Sequence, residues 1–162
     1  MGICFYEAVQ RIHNQYNDDA SNIWNNGVSS ATVVCRFLEF KGCGIKISTM
    51  AANILQRDVG IRFSDYSAID VSPDVQVCRI LYRLGLISDS EDRTMTVYKA
   101  KEINPGFPGI IDLACWLWGR DYCNPTNPLC IQCPLNDVCI KNGLNAKQKN
   151  NKSSVKKKKH KG

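Results

Sequence analysis

Four cysteines fall within seventeen residues, at Cys123, Cys130, Cys133 and Cys139 in CNPTNPLCIQCPLNDVC, with gaps of six, two and five. No other stretch constrains the chain as tightly. Loops of these lengths, rich in Asn and Pro, fold back on themselves, so the four thiolates converge on one point. Four converging thiolates suit an iron–sulfur cubane or a tetrahedral zinc ion. A Cys4 zinc site usually carries two C-x2-C pairs, and only Cys130/Cys133 forms one here. The two-cluster ferredoxin run C-x2-C-x2-C-x3-C-P does not fit either, although Pro134 follows Cys133. A disulfide pair is the weakest reading. The opening MGICFYEAVQR has no apolar run suited to export, and nine cysteines without an export signal imply a reducing compartment.

The 162 residues suffice for one modest domain or two small helical lobes sharing a core. The net charge of +6 is unevenly spread. From Lys141 onward nine Lys and no acid give +9, whereas residues 1–140 hold twelve Lys plus Arg against fifteen acids, a net −3. The basicity is therefore a tail, and a DNA-binding face must come from local placement. Met1-Gly2 resembles a myristoylation start, but Tyr6 stands where Ser or Thr is needed. There is no apolar run of membrane-spanning length.

Periodicity predicts an all-α chain. Ile3, Tyr6, Val9, Ile12 and Tyr16 mark one face of a first helix. A short turn capped by Asp19 or Ser21 carries Ile23 and Trp24 and ends at Asn25-Asn26-Gly27. A helix over Ser30–Phe40 follows, capped by Ser29 or Ser30, with Val33, Val34, Phe37 and Leu38 inward. The segment KGCGIK is a G-x-G hairpin with open backbone amides, and the next helix (IKISTMAANILQRD) turns Ile47, Met50, Ala51, Ile54 and Leu55 inward. Helix, hairpin and helix together form a unit that grips a phosphate backbone without reading sequence. A plain structural turn is the alternative. A P-loop is excluded, since no strand precedes the hairpin and no Gly-Lys-Ser/Thr ends it. Val59 to Val71 is a polar loop. Ser72 then caps a helix that has Pro73 in its first turn, buries Val77, Ile80, Leu81 and Leu84, and stops at Gly85. Helices near Thr94–Ile103 and Pro108–Gly119 lead to Arg120 and the cysteine loop. After Gly143 the composition predicts disorder.

With these motifs in order, the chain from about Ser30 to Cys139 resembles the endonuclease III family of DNA glycosylases, in the helix-hairpin-helix, Gly/Pro-rich, Asp superfamily. The x6-x2-x5 cysteine spacing is similar to that family's [4Fe–4S] loop, so Cys123, Cys130, Cys133 and Cys139 inherit the cluster. The hairpin end G-x-G-x-K is Gly42-Cys43-Gly44-Ile45-Lys46, and Lys46 inherits the nucleophile of the bifunctional members. Lys41, Gly42, Cys43 and Gly44 inherit the DNA-backbone contact. The pattern D-x-x-[IV]-x-R-[IV] is matched by Asp74, Val77, Arg79 and Ile80, so Asp74 inherits the catalytic aspartate in preference to nearby Asp70. Gly119-Arg120 resembles the stretch leading into the cluster.

The resemblance implies base-excision repair, with a DNA glycosylase and AP lyase acting on duplex DNA that carries a damaged base or an abasic site. It implies a partial six-helix barrel over residues 1–71 with the helix-hairpin-helix at about 30–58, a cluster-bearing lobe over 72–140, and a disordered Lys-rich tail over 141–162. Family members carry further helices ahead of the point where this chain starts, so it is expected to be N-terminally truncated. The long loop between Lys46 and Asp74 resembles archaeal-type relatives. A monomer in the prokaryotic cytoplasm, associated with the nucleoid, is the matching expectation. The rivals are a non-catalytic DNA-binding module and an electron-transfer protein. Cys4, Cys35, Cys78 and Cys115 are expected in the core, as are Trp116 and Trp118. The tail is expected to attract phosphate, with a nuclear localisation signal as the lesser alternative.

Overall fold

The computed structural model describes residues 2–25 and 27–150, with side chains from Cys4 onward. Among these residues there are helices and no strands. The α-helices are α1 (Gly2–Tyr16), α2 (Ser30–Leu38), α3 (Ile45–Arg57), α4 (Val75–Leu84), α5 (Arg93–Ile103), α6 (Ile111–Asp121) and α7 (Ala146–Lys149). Short 3-10 turns occupy Ala20–Trp24, Pro108–Ile110 and Cys130–Gln132.

The helix starts follow capping chemistry. Asp19, Ser29 and Asp92 each accept a backbone N–H at the start of the element that follows. At α4 the cap is Asp74, whose Oδ1 accepts from Gln76 N at 2.8 Å and Val77 N at 2.9 Å. Ser72, the expected cap, instead lies buried two residues earlier. Gly85 closes α4 at φ 79°, a left-handed conformation that glycine adopts without the Cβ penalty.

Three apolar clusters hold the helices together. Val33 and Val34 of α2 meet Ala52 and Leu55 of α3, with Phe63 and Ile69 from the loop that follows. Val77, Ile80 and Leu81 of α4 meet Ala100 of α5 and Cys115 of α6. Tyr16, Ile23 and Phe40 tie α1 to the α2 end. The first two clusters are stitched at one backbone crossing. Gly109 N donates to Ile69 O at 2.7 Å, and Asn53 Nδ2 donates to Gly109 O at 2.7 Å.

Several expectations are corrected. The loop over 59–71 is not simply polar, since Phe63, Ile69 and Val71 are buried and each contributes about 1.5–3 kcal/mol of burial. On α3 the buried side chains are Ser48, Thr49, Ala52, Asn53 and Leu55, while Ile47, Met50 and Ile54 are exposed. The small and polar residues turn inward because their side chains bond to backbone carbonyls. Ser48 Oγ donates to Gly44 O and Thr49 Oγ1 to Ile45 O. On α1 the packed residues are Ala8, Ile12 and Tyr16, while Tyr6 and Val9 face outward. Leu38 is likewise exposed. Cys78 and Cys115 are buried as expected, but Cys4 and Cys35 are exposed. Residues after Gly143 are ordered as far as Asn150: Leu144 is buried, Asn145 and Gln148 form a capping box, and Gln148 Nε2 donates to Thr126 O at 3.1 Å. The rest of the expected tail lies outside the described residues.

Candidate functional site

The hairpin between α2 and α3 turns at Gly42, with φ 89°. Cys43 N is bound to Phe40 O at 2.9 Å, which tightens the turn. Gly44 is the N-cap of α3 and brings no side chain, so the first amides of that helix carry no side-chain cap. They open to solvent between the exposed Ile45 and Ile47. Lys41 is paired with Glu7 at 2.7 Å, both partners exposed, and the Glu7 contact raises the Lys41 pKa. Its charge is therefore partly offset. Lys46 stands exposed in the first turn of α3. Helical spacing puts it on the face that continues to Met50, Asn53 and Arg57.

That face forms one wall of a cavity of about 300 Å³. Met50, Asn53, Ile54 and Arg57 come from α3, and Ser72, Asp74 and Val77 from the start of α4. Asp112, Leu113 and Trp116 of α6 close the far side. The volume is at the small end of ligand sites, enough for a base or a sugar. Asp70 does not contribute. It pairs with Lys101 of α5 at 3.0 Å, which separates it from Asp74 in role. Trp116, expected in the core, is 45% exposed, and the Arg120 guanidinium stacks 4.8 Å from its ring centroid. It is a wall of the cavity rather than packing.

Sequence reasoning missed Asp112. An acid in the first turn of an apolar helix passes as a helix-dipole partner. In the fold both of its oxygens lie against Ser72 N, at 2.9 and 3.1 Å. Burial pushes its carboxyl up to about 7, and the Asp74 charge adds to that push. The Ser72 amide, Asn53 and Arg57 oppose it.

The cysteine loop is anchored by α4. Arg79 Nε donates to Cys123 O at 2.9 Å. Arg83, only 6% exposed, donates to Cys123 O at 3.2 Å, Asn124 O at 2.8 Å and Pro125 O at 2.8 Å. Its Nη1 also lies 3.3 Å from Cys123 Sγ, and Cys139 Sγ donates to Arg83 O at 3.2 Å. Cys123, Cys130, Cys133 and Cys139 all line one small cavity with Pro128 and Leu144. Among the described residues no three His, Cys, Asp or Glu side chains stand close enough to hold a single metal ion. The four thiols line one hollow, with an arginine beside one sulfur, and are the residues that would hold an iron–sulfur cluster. Such a cluster would cross-link the loop through its cysteines. Anaerobically purified protein is expected to carry about four irons per chain, to lose them on substitution of any of these four cysteines, and to keep them in Cys35→Ser. Zinc without iron in the metal analysis would reverse this.

No family model, curated protein or solved structure matches the chain. No helix among the described residues is long and apolar enough to cross a membrane. The site therefore rests on the chain's own geometry. The hairpin leads into α3, whose face walls the cavity opposite Asp74 and Asp112, and the cysteine loop hangs from the far end of the helix that Asp74 caps.

Proposed function

We propose that the chain binds duplex DNA and cleaves it at abasic sites through a Schiff base on Lys46. The reading is supported by the cavity between α3 and α6, which Asp74 lines together with Met50, Asn53 and Arg57, the helical positions that follow on from Lys46. The uncapped start of α3 and the turn at Gly42 offer backbone amides to a phosphate, the position in which a DNA backbone is gripped without sequence reading. An abasic sugar presents a C1′ aldehyde, which the Lys46 amine attacks with loss of water. Asp74 has one oxygen committed to the α4 amides, leaving Oδ2 to stabilise positive charge that develops at C1′. Where a base is still attached, the same charge stabilisation favours breaking the N-glycosidic bond. Cys123, Cys130, Cys133 and Cys139 would hold a [4Fe–4S] cluster, which would cross-link the loop that Arg79 and Arg83 anchor to α4.

Abasic duplex incubated with the protein and borohydride is expected to give a covalent adduct at one-to-one stoichiometry. Efficient excision of a paired damaged base is not expected, because extrusion costs a few kcal/mol that wedge contacts must repay. A protein that binds abasic duplex tightly yet forms no adduct would favour the non-catalytic DNA-binding module.

A further inference from the structure

The cavity contains a second carboxylate to which no motif assigns a role. Asp112 sits at its inner wall, with both oxygens on the Ser72 amide. Asn53, 3% exposed, reaches the same carboxyl while donating to Gly109 O. The Ser72 hydroxyl is buried in this wall and has no hydrogen-bond partner among the described residues. Burying a second acid beside Asp74 and leaving a hydroxyl without a partner both cost stability. Such arrangements are found where a reaction uses them.

Resting on the lyase reading above, we propose that Asp112 is the base of the strand-cleavage step, accepting the C2′ proton of the Lys46-linked sugar. The iminium formed with Lys46 acidifies C2′–H. As the Asp112 carboxylate takes that proton, the C2′–H electron pair forms a C1′–C2′ double bond and the iminium pair moves onto nitrogen. The nitrogen pair then returns to restore the iminium, a C2′–C3′ double bond forms, and the C3′–O bond breaks. The 3′ phosphate leaves with that pair, and the proton passes from Asp112 to water. No oxidant or metal enters the balance. Asp74 is already occupied as the cap of α4, its Oδ1 accepting from two amides.

The surroundings suit the task. A base poised near neutrality is half ionised at working pH, and burial holds Asp112 at about 7. The charged groups facing it are Arg57 from α3 and Asp74 from the start of α4. On α6 itself the Cys115 thiol is pushed up to about 12, chiefly by burial, and stays protonated. From α5, Lys101 is taken up by Asp70. The turn over Pro108–Ile110 contributes no ionisable group.

The test uses the full chain with Asp112→Asn, which keeps an acceptor for the Ser72 amide and removes the base. Two readouts are taken on abasic duplex: borohydride trapping, and single-turnover nicking between about pH 5 and 9. Wild-type nicking is expected to rise with pH and level off above about 7. The Asn variant should still be trapped, yet nick about 100-fold more slowly and without that rise. Asp112→Glu, which restores a carboxyl, should recover part of the rate and the pH dependence. A melting series gives a readout independent of turnover. The folded Asp112 holds its proton to about 7 and the unfolded chain only to 3.8. The stability of wild type relative to Asp112→Asn should therefore fall as pH rises between these values, then flatten.

Unchanged nicking in Asp112→Asn, or equal loss of trapping and nicking in the Asn and Glu variants, overturns this role alone. A melting difference that is flat with pH also overturns it. Absence of any wild-type adduct overturns the lyase reading and this inference together.

Discussion

Arg83→Met is expected to lower the melting temperature by roughly 2–12 °C, at 2–4 °C per kcal/mol for a chain of this size. The side chain is nearly inaccessible, and its guanidinium spans three carbonyls of the cysteine loop. Arg79 still serves Cys123 O after the change, so the orphaned acceptors are those of Asn124 and Pro125. Asn124 is half-buried and Pro125 exposed, so water takes up part of what is lost, and the change costs about 1–3 kcal/mol. That is a large share of the 5–15 kcal/mol available to an ordinary domain. The Cys123 sulfur also loses one of its two cationic neighbours, Arg79 remaining, so any iron held there should be shed faster on exposure to air. Arg83→Lys should rescue little, because an ammonium cannot fork across three carbonyls. A melting temperature within 2 °C of the parent would show that the loop is held by other means.

Lys46→Gln is expected to abolish the borohydride adduct, a loss of at least 10³-fold, while leaving the melting curve alone. The side chain is exposed in the first turn of α3, so nothing is left unsatisfied by its removal. Asp74 separates cleanly into two roles. Asparagine caps a helix as well as aspartate does, so Asp74→Asn keeps α4 and removes only the charge. Trapping on abasic duplex should slow by about 10-fold or less, since no glycosidic bond remains to be broken. Asp74→Ala should in addition cost about 1 kcal/mol of stability through the lost cap. Adduct that survives Lys46→Gln would point to the N-terminal amine or a tail lysine.

The parts of the fold visible in sequence were those set by local rules. Ser29 and Asp19 cap where their neighbours said they would, Gly85 stops α4, and the glycine pair makes the hairpin. The four cysteines line one hollow. The hidden parts depend on partners distant in sequence. Arg83 looks like a surface residue until Asn124 and Pro125 fold beneath it. Asp112 looks like a dipole partner until Ser72, forty residues earlier, presents its amide. Ile69 and Val71 lie in a stretch without helical period and are buried by contact with the two cores. Trp116 shares an apolar run with Trp118, but only Trp118 packs against the core.

The crossing at Gly109 sets a limit on what the sequence can become. A methyl group at this position would stand 2.8 Å from both Ile69 O and Ile69 Cγ2, and 3.1 Å from Asn53 Nδ2. Two of those atoms are the ones that bind Gly109 across the crossing. Elsewhere around the cavity a residue can grow or shrink and its neighbours adjust. At 109 even alanine must displace the Ile69 backbone, and it crowds Asn53, a residue of the cavity wall. The absence of one methyl group thus lets the segment before α6 lie directly against the loop that follows α3.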